Sequence, residues 1–223
     1  MKRVGSFVIA FLLAAGAVWY FTRDKEQMAA FRSREGATQM LGEYLGKKFP
    51  GARVLVISNP FTEAGASSDT LKMESAGIEG LQKGFGDKTV LKIAYPELKP
   101  AARSDPRSLL ADPETPTPLS YLVADDAFDK LTPGYDLAIS LIGLPAALDK
   151  AQCWHNPGKP AFGLLLPDLR IVGTSADVRA AVKSGKLAAF VLAAPNAANQ
   201  FLLVTPESIE QLTQQYPKLL GPD

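Results

Sequence analysis

The sequence is poor in cysteine and histidine and has no excess of charge of either sign. Cys153 and His155 are the single members of their residue types among 223 residues. One cysteine excludes an intrachain disulfide and a zinc site built from several cysteines. Lysine and arginine number 24 against 23 aspartate and glutamate residues, so no basic surplus is available to neutralise a nucleic acid backbone. A nucleic acid partner is therefore not expected.

Signatures of catalysis and of cofactor binding are also missing. No G-x-S-x-G pattern is present to expose a nucleophilic serine at a strand-to-helix turn. The Ser-Gly-Lys at 184–186 lacks the upstream glycine of a phosphate-binding loop, and the glycines between residues 77 and 86 fall within or after a predicted helix. Cys153 and His155 are two residues apart, but two ligands do not make a zinc site. The sequence predicts no metal and no cofactor.

The apolar content is sufficient for a stable core. The composition is 47% hydrophobic and 21% charged, which is typical of a globular protein and unlike that of a disordered chain. After the first apolar segment about 200 residues remain, a length that favours one domain. We expect residues 1–23 to form an anchor, residues 24–50 a juxtamembrane helix and residues 51–223 an α/β domain.

Residues 4–22 (VGSFVIAFLLAAGAVWYFT) form an uncharged run of 19 residues. A helix of this length roughly matches a hydrocarbon core of about 30 Å. Lys2 and Arg3 precede the run, and this basic bias places the N-terminus inside. The pattern predicts a single-pass helix in the cell inner membrane, with the C-terminal domain on the extracytoplasmic, periplasmic side.

Two other interpretations of this segment remain open. Ala15-Gly16-Ala17 resembles the cleavage site of a secretory signal peptide. The apolar run continues through the aromatic residues at 19–21, which suit a membrane interface better than a newly exposed terminus. The third interpretation is a buried core helix in a protein without an anchor.

Residues 24–48 contain no proline and carry apolar or small residues at helical spacing. These residues are Met28, Phe31, Thr38, Leu41 and Leu45. Phe49-Pro50-Gly51 ends the helix and turns the chain. The stripe is too short for a coiled coil, so we expect it to pack on the domain.

Short apolar runs then alternate with helical segments. Continuous hydrophobicity indicates strands buried on both faces, as in a parallel sheet covered by helices. The predicted strands are residues 53–58, 89–94, 136–142, 161–166, 187–193 and 200–205, and the predicted helices are residues 70–85, 121–131, 145–151, 175–183 and 206–215. A long proline-rich loop spans residues 95–120. The pattern predicts a doubly wound, mostly parallel sheet in a Rossmann-like three-layer sandwich.

Ligands of open parallel sheets bind outside the carboxyl ends of the strands. Polar and aromatic residues that follow the predicted strands, or that open the next helix, are therefore candidates for ligand binding. They are Asn59, Phe61, Ser67, Ser68, Ser140, Asp168 and Asn196. Each of these residues could instead serve as an N-cap or a turn former.

Two stretches resemble a known family. Residues 54–97, with a strand, a polar loop, a helix containing AGIEGLQKGF at 76–85 and a second strand, resemble the first lobe of type I periplasmic (sugar-type) binding proteins. Residues 135–145 (YDLAISLIGLP) are similar to the later strand and loop of that family. The resemblance implies a Rossmann-like lobe that binds a small polar ligand. Family members close two lobes over the ligand, whereas this chain has room for one.

These observations favour a membrane-anchored, extracytoplasmic binding or interaction domain without catalytic activity. Its partner would be a small polar ligand or a protein of the cell envelope. The alternative is a hydrolase-like envelope enzyme with its active site at the carboxyl ends of the strands, built from Ser58, Asn59, Ser140, Asp168 and His155. A third interpretation is a scaffolding protein whose contacts come from the juxtamembrane helix and the proline-rich loop.

Overall fold

The computed structural model describes residues 2–63, 66–87, 89–104, 119–157, 160–195 and 200–220, and for residues 2–24 it describes the backbone only. Asn196 and most of the proline-rich loop lie outside these ranges. Residues 4–22 have helical backbone, but their side chains lie outside the described part. Among the residues that could be searched, no helix is long and apolar enough to cross a membrane. The transmembrane segment therefore stays a prediction.

A six-stranded sheet lies at the centre of the molecule, in the order β2-β1-β3-β4-β5-β6. Strands β1 to β5 run parallel to their neighbours, and β6 pairs with β5 in the antiparallel direction at one edge. All the predicted strands are present, with ends within two residues of the predictions. The strands are β1 (Val54–Ile57), β2 (Leu91–Ala94), β3 (Leu137–Ser140), β4 (Ala161–Leu165), β5 (Leu187–Ala193) and β6 (Phe201–Val204).

The helices are α1 (Lys2–Lys48), α2 (Ser68–Phe85), α3 (Pro100–Ser104), α4 (Ala127–Leu131), α5 (Gln152–His155), α6 (Ser175–Lys183) and α7 (Ile209–Gln215). The helix predicted for residues 145–151 is wrong: a 3-10 turn occupies Leu148–Lys150, and α5 begins after it. The carboxylate of Asp129 accepts hydrogen bonds from the backbone N–H groups of Gln152 and Cys153, which stabilises a helix start at this later point. The predicted helix 121–131 is likewise divided, into a 3-10 turn at Leu119–Leu122 and α4.

Helices cover both faces of the sheet, which gives the predicted three layers. On one face the second half of α1 and α2 bury Leu41, Leu45 and Leu81 against the sheet. On the other face α4, α6 and α7 contribute buried residues, namely Phe128, Val178, Val182 and Ile209. The apolar stripe predicted for residues 24–48 thus packs on the domain in its second half, whereas Met28 is 50% exposed.

Helices α1 and α2 lie side by side and run in the same direction. Gln27 donates a hydrogen bond to Asp69 near the start of α2, and Gly46 lies against Phe85 at its end. Arg34 of α1 bonds Glu74 of α2, and Glu74 accepts a hydrogen bond from Ser58, the residue after β1. The first half of α1, the start of α2 and the carboxyl edge of the sheet are therefore at one end of the molecule.

Candidate functional site

The carboxyl edge has a topological switch point between β1 and β3. The chain leaves β1 toward β2 on one side, and it leaves β3 toward β4 on the other. In doubly wound sheets, ligands bind at such a point because the loops diverge there and leave a crevice. Ser140 lies opposite Ile57 in the sheet, so the loops that carry Asn59 and Ser140 are neighbours. The structure brings these two predicted residues to the same place.

Asn59 and Ser140 nevertheless use their side chains within the protein. The Asn59 side chain accepts a hydrogen bond from the backbone N–H of Phe61 at 3.0 Å. The Ser140 hydroxyl donates to the carbonyl oxygen of Gly143 at 2.6 Å, in a turn where Gly143 has a φ of 90°. Asn59 is 7% exposed and Ser140 is fully buried. The Asn59 side-chain oxygen and the Ser140 hydroxyl therefore both serve to close their own loops.

Three other predicted residues surround the start of α2. Ser67 caps this helix, since its hydroxyl accepts a hydrogen bond from the backbone N–H of Thr70 at 3.3 Å. Ser67 and Ser68 are exposed, and Phe61 is half-buried. These three residues remain accessible from solvent.

Asp168 follows β4 and is bonded to a neighbouring cation. Its carboxylate accepts hydrogen bonds from Nε and Nη2 of Arg170, each at 2.8 Å. The guanidinium of Arg170 holds the pKa of this carboxyl below its ordinary value, so Asp168 stays ionised at neutral pH. Arg170 itself is 78% exposed. The pair is a charged element on the surface of the carboxyl edge.

A buried carboxylate at the switch point was not anticipated from the sequence. Glu74 of α2 is 6% exposed. One of its oxygens accepts hydrogen bonds from the Ser58 hydroxyl and the Asn59 backbone N–H, and the other accepts one from Arg34 at 3.0 Å. Glu74 thus joins α1, α2 and the end of β1. Residues three apart on a helix lie on the same face, and Gly77 of α2 is buried. This spacing is the sequence signal that could have indicated the burial of Glu74.

Leu166 is a second residue that sequence reasoning missed. Among the described residues it is the one non-glycine residue with positive φ, at 45°, and it is 48% exposed. It also precedes Pro167, whose ring favours extended backbone in the residue before it. A left-handed conformation costs an ordinary residue about 1–2 kcal/mol. A strained, exposed leucine therefore lies directly at the carboxyl end of β4.

The residues of the alternative enzyme site are not assembled. His155 ends α5, which leads into the amino end of β4, and its Nε2 lies 2.7 Å from the carbonyl oxygen of Asp149. Ser58 and Asp168 follow the carboxyl ends of β1 and β4, and Ser140 is the last residue of β3, so all three are at the opposite edge of the sheet. In the part of the chain that the structure describes, no group of three potential metal-ligating side chains is present.

A cavity of about 310 Å³ lies at the amino edge, before β1, β3 and β4. This volume is at the lower end of the range for small-ligand sites. Its lining includes Arg53, Asp129, Tyr135, Gln152 and Asn156. The Arg53 side chain is 66% exposed and lies 3.5 Å from Asp136. The cavity combines a cation, amides and an aromatic ring, which suits a small polar ligand.

Comparison with known proteins does not assign this chain to a family. No protein-family model matches the sequence, and no curated protein matches it. The structure is similar to a carbohydrate transporter from Acidothermus cellulolyticus 11B, solved in complex with myo-inositol, at a TM-score of 0.47 and 13% identity. The alignment covers 84% of this chain and 62% of that one, so the chain spans less than two thirds of that protein's length. At this identity and score the similarity does not extend to function.

Proposed function

We propose that the protein is a membrane-anchored, extracytoplasmic binding domain without catalytic activity, which docks a protein of the cell envelope at the carboxyl edge of its sheet. The observation that carries this proposal is Leu166, which is both strained and 48% exposed. Strain of this kind persists where the surrounding structure enforces it, and it is concentrated at functional sites. An exposed apolar side chain four residues before the exposed Arg170 matches the anchor and charged rim of a protein interface.

The side chains of the switch point support a protein partner over a small ligand at this edge. Asn59 and Ser140 are the predicted residues at the crevice, and the Asn59 side-chain oxygen and the Ser140 hydroxyl are engaged within their own loops. Small-ligand sites need convergent polar groups that are free to bond the ligand. The exposed groups of the carboxyl edge are instead spread over its surface, at Ser67, Leu166 and Arg170.

The anchor is supported by the N-terminal segment and by the course of α1. The uncharged run at residues 4–22 has the length of a membrane span. The helical backbone continues without a break from this run to Lys48, and the second half of the helix packs on the sheet. With such an anchor the domain would lie next to the outer surface of the inner membrane.

The docking edge can be tested by photo-crosslinking in cells of the native host. A photo-reactive residue replaces Leu166 in one full-length variant and Val90 in another. Val90 is also an exposed aliphatic residue, 85% exposed, but it precedes β2 at the opposite edge. We expect a discrete protein adduct from position 166 and none from position 90, because only the carboxyl edge carries the partner. Mass spectrometry of the adduct identifies the partner.

The Leu166→Asn variant separates a loss of binding from a loss of stability. Asparagine tolerates a left-handed backbone, so the thermal midpoint of this variant should equal that of the parent protein. Its binding to the identified partner should be weaker, because the apolar side chain is removed. Adducts from position 90 alone, or equal adducts from both positions, would place the docking surface elsewhere. Unchanged capture by Leu166→Asn would remove Leu166 from the interface.

A small polar ligand at the amino-edge cavity is the second candidate function, favoured by the exposed Arg53 at its mouth. We expect the thermal midpoint of the full-length protein in detergent to rise with the concentration of a bound sugar, amino acid, nucleoside or anion. Arg53→Ala should abolish the rise, because it removes the cation. Midpoints that stay constant across the panel, or a rise that Arg53→Ala retains, would exclude this cavity as the site.

A further inference from the structure

A groove of about 620 Å³ lies between α5 and α6, on the face of the sheet opposite α1 and α2. This volume is within the range of small-ligand sites. Trp154, Val172 and Ala181 line the groove and pack on the core beneath it, and Lys186 lines it as a cation. The groove shares no lining residue with the amino-edge cavity. We call it the α5–α6 groove.

Lys186 is a half-buried cation in this groove. Its Nζ donates a hydrogen bond to the carbonyl oxygen of Asn156 at 2.8 Å and lies 5.5 Å from the centre of the Phe162 ring. Within the described ranges the ammonium has no carboxylate partner, whereas Lys183, three residues earlier, pairs with Glu210 at 2.7 Å. Burial lowers the pKa of Lys186, because the charged form loses water without gaining a counter-charge. An ammonium has three N–H donors, so donors remain for an anion.

Trp154 gives the groove a flat apolar wall. Its ring lies 5.9 Å from that of Phe162, centre to centre, and the two planes are inclined by 48°. Phe162 is fully buried and holds the indole in place, while Trp154 itself is half-buried and part of its surface stays accessible. An indole supported in this way binds a flat apolar group by stacking and by burial.

Among the described lining residues, Asp177 carries the one carboxylate. Its Oδ2 accepts hydrogen bonds from the backbone N–H of Thr174 at 2.8 Å and from the Thr174 hydroxyl at 2.7 Å. Asp177 thus completes the capping box in the first turn of α6, whereas Lys186 follows the end of this helix. From Asp177 to Lys183 the helix rises about 9 Å. The acidic group therefore belongs to one end of the groove and the unpaired cation to the other.

We propose that the α5–α6 groove binds a small aromatic acid. The acid group bonds the ammonium of Lys186, and the flat apolar body lies against the indole of Trp154 and the methyl group of Ala181. The two sets of contacts are adjacent in the lining, so one ligand can use both. The site is independent of the membrane anchor, of the docking edge at Leu166 and of the amino-edge cavity.

The fluorescence of Trp154 tests this site directly. Trp19 and Trp154 are the two tryptophans of the chain, so Trp154 is the single indole in a Trp19→Phe background. The full-length protein in detergent is titrated with phenyl phosphate, and we expect a saturable change in emission. Inorganic phosphate lacks the apolar body and benzyl alcohol lacks the charge, so each should bind about tenfold more weakly or worse.

Three variants assign the response to the groove. Lys186→Met keeps an apolar stem but removes the cation, and it should weaken the binding of phenyl phosphate about tenfold or more. Lys183→Met removes a cation outside the groove lining, and Arg53→Ala removes the cation of the amino-edge cavity. Both of these control variants should bind phenyl phosphate like the parent protein. Circular dichroism verifies that each variant retains its helices and sheet.

The outcomes that would overturn the site are distinct. A linear titration with phenyl phosphate would show that no binding site exists beside Trp154. Unchanged binding by Lys186→Met, or equal weakening by Lys183→Met, would show that Lys186 does not hold the acid group. Loss of binding in Arg53→Ala alone would assign the ligand to the amino-edge cavity. Equal affinity for inorganic phosphate or for benzyl alcohol would rule out an aromatic acid as the preferred ligand.

Discussion

Gly80→Ala should destabilise the protein by about 3 kcal/mol or more, one of the largest single-residue effects that the fold allows. A Cβ atom at position 80 would collide with the Thr38 hydroxyl and with the backbone carbonyl oxygen of Glu35. The carbonyl belongs to the backbone of α1, so a rotamer change cannot relieve the contact. The two helices would have to separate, and Leu41 and Leu81, both fully buried, would lose their packing.

Gly36→Ala is the matched control. Gly36 lies on α1 and is exposed, and a Cβ atom at this position would meet no neighbouring atom within 4 Å. Alanine favours helix over glycine by about 0.5–1 kcal/mol, so this variant should be more stable than the parent protein. Urea titration of both full-length variants measures the two free energies of unfolding. A Gly80→Ala variant as stable as the parent protein would show that α1 and α2 are not in close contact at Gly80.

The thiol of Cys153 should react with iodoacetamide at least about 100-fold more slowly in the native protein than in the denatured chain at pH 8. Burial, with a smaller contribution from the Asp129 carboxylate, raises the pKa of this thiol from its ordinary 9.0 to about 12. The thiolate fraction at pH 8 thus falls from about one in ten to about one in ten thousand. Mass spectrometry of timed samples gives the two rates.

Val90→Cys provides an exposed thiol in the same protein, and it should react at the rate of an ordinary cysteine. Equal alkylation rates in native and denatured protein would show that the Cys153 thiol is accessible.

The raised pKa of Cys153 also has a consequence for stability. The folded state holds the thiol proton more tightly than the unfolded state, so the stabilisation is complete below about pH 8.5 and is lost as the pH rises toward 12.

The strands were predictable from sequence because each is a continuous apolar run between turn residues. Three of the glycines lie within α2, as the sequence predicts, but their purpose was not evident from the sequence. Gly80 and Gly84 face α1, where a Cβ at position 84 would meet the backbone of Glu43 and Gly42. A close approach of two helices depends on which faces meet, and a single sequence does not specify that pairing.

The candidate site was less predictable than the sheet. Residues after the strands could be placed at the carboxyl edge, because parallel strands end together. Whether Ser140 faces a ligand or closes its own turn depends on the carbonyl oxygen of Gly143, three residues away. The strain at Leu166 also depends on where β4 ends relative to β5, since the Leu166 backbone N–H bonds the carbonyl oxygen of Val191.

The sequence by itself determined the order of helices and strands, the mostly parallel sheet and the absence of recognisable catalytic motifs, because local hydrophobic patterns specify these features. Only the tertiary structure decided that Glu74 is buried between Arg34 and Ser58, that His155 ends a short helix before β4, and that α1 and α2 run in parallel. Such features arise from contacts between residues distant in the chain. Their burial and hydrogen bonding are set by packing, which composition and periodicity do not encode.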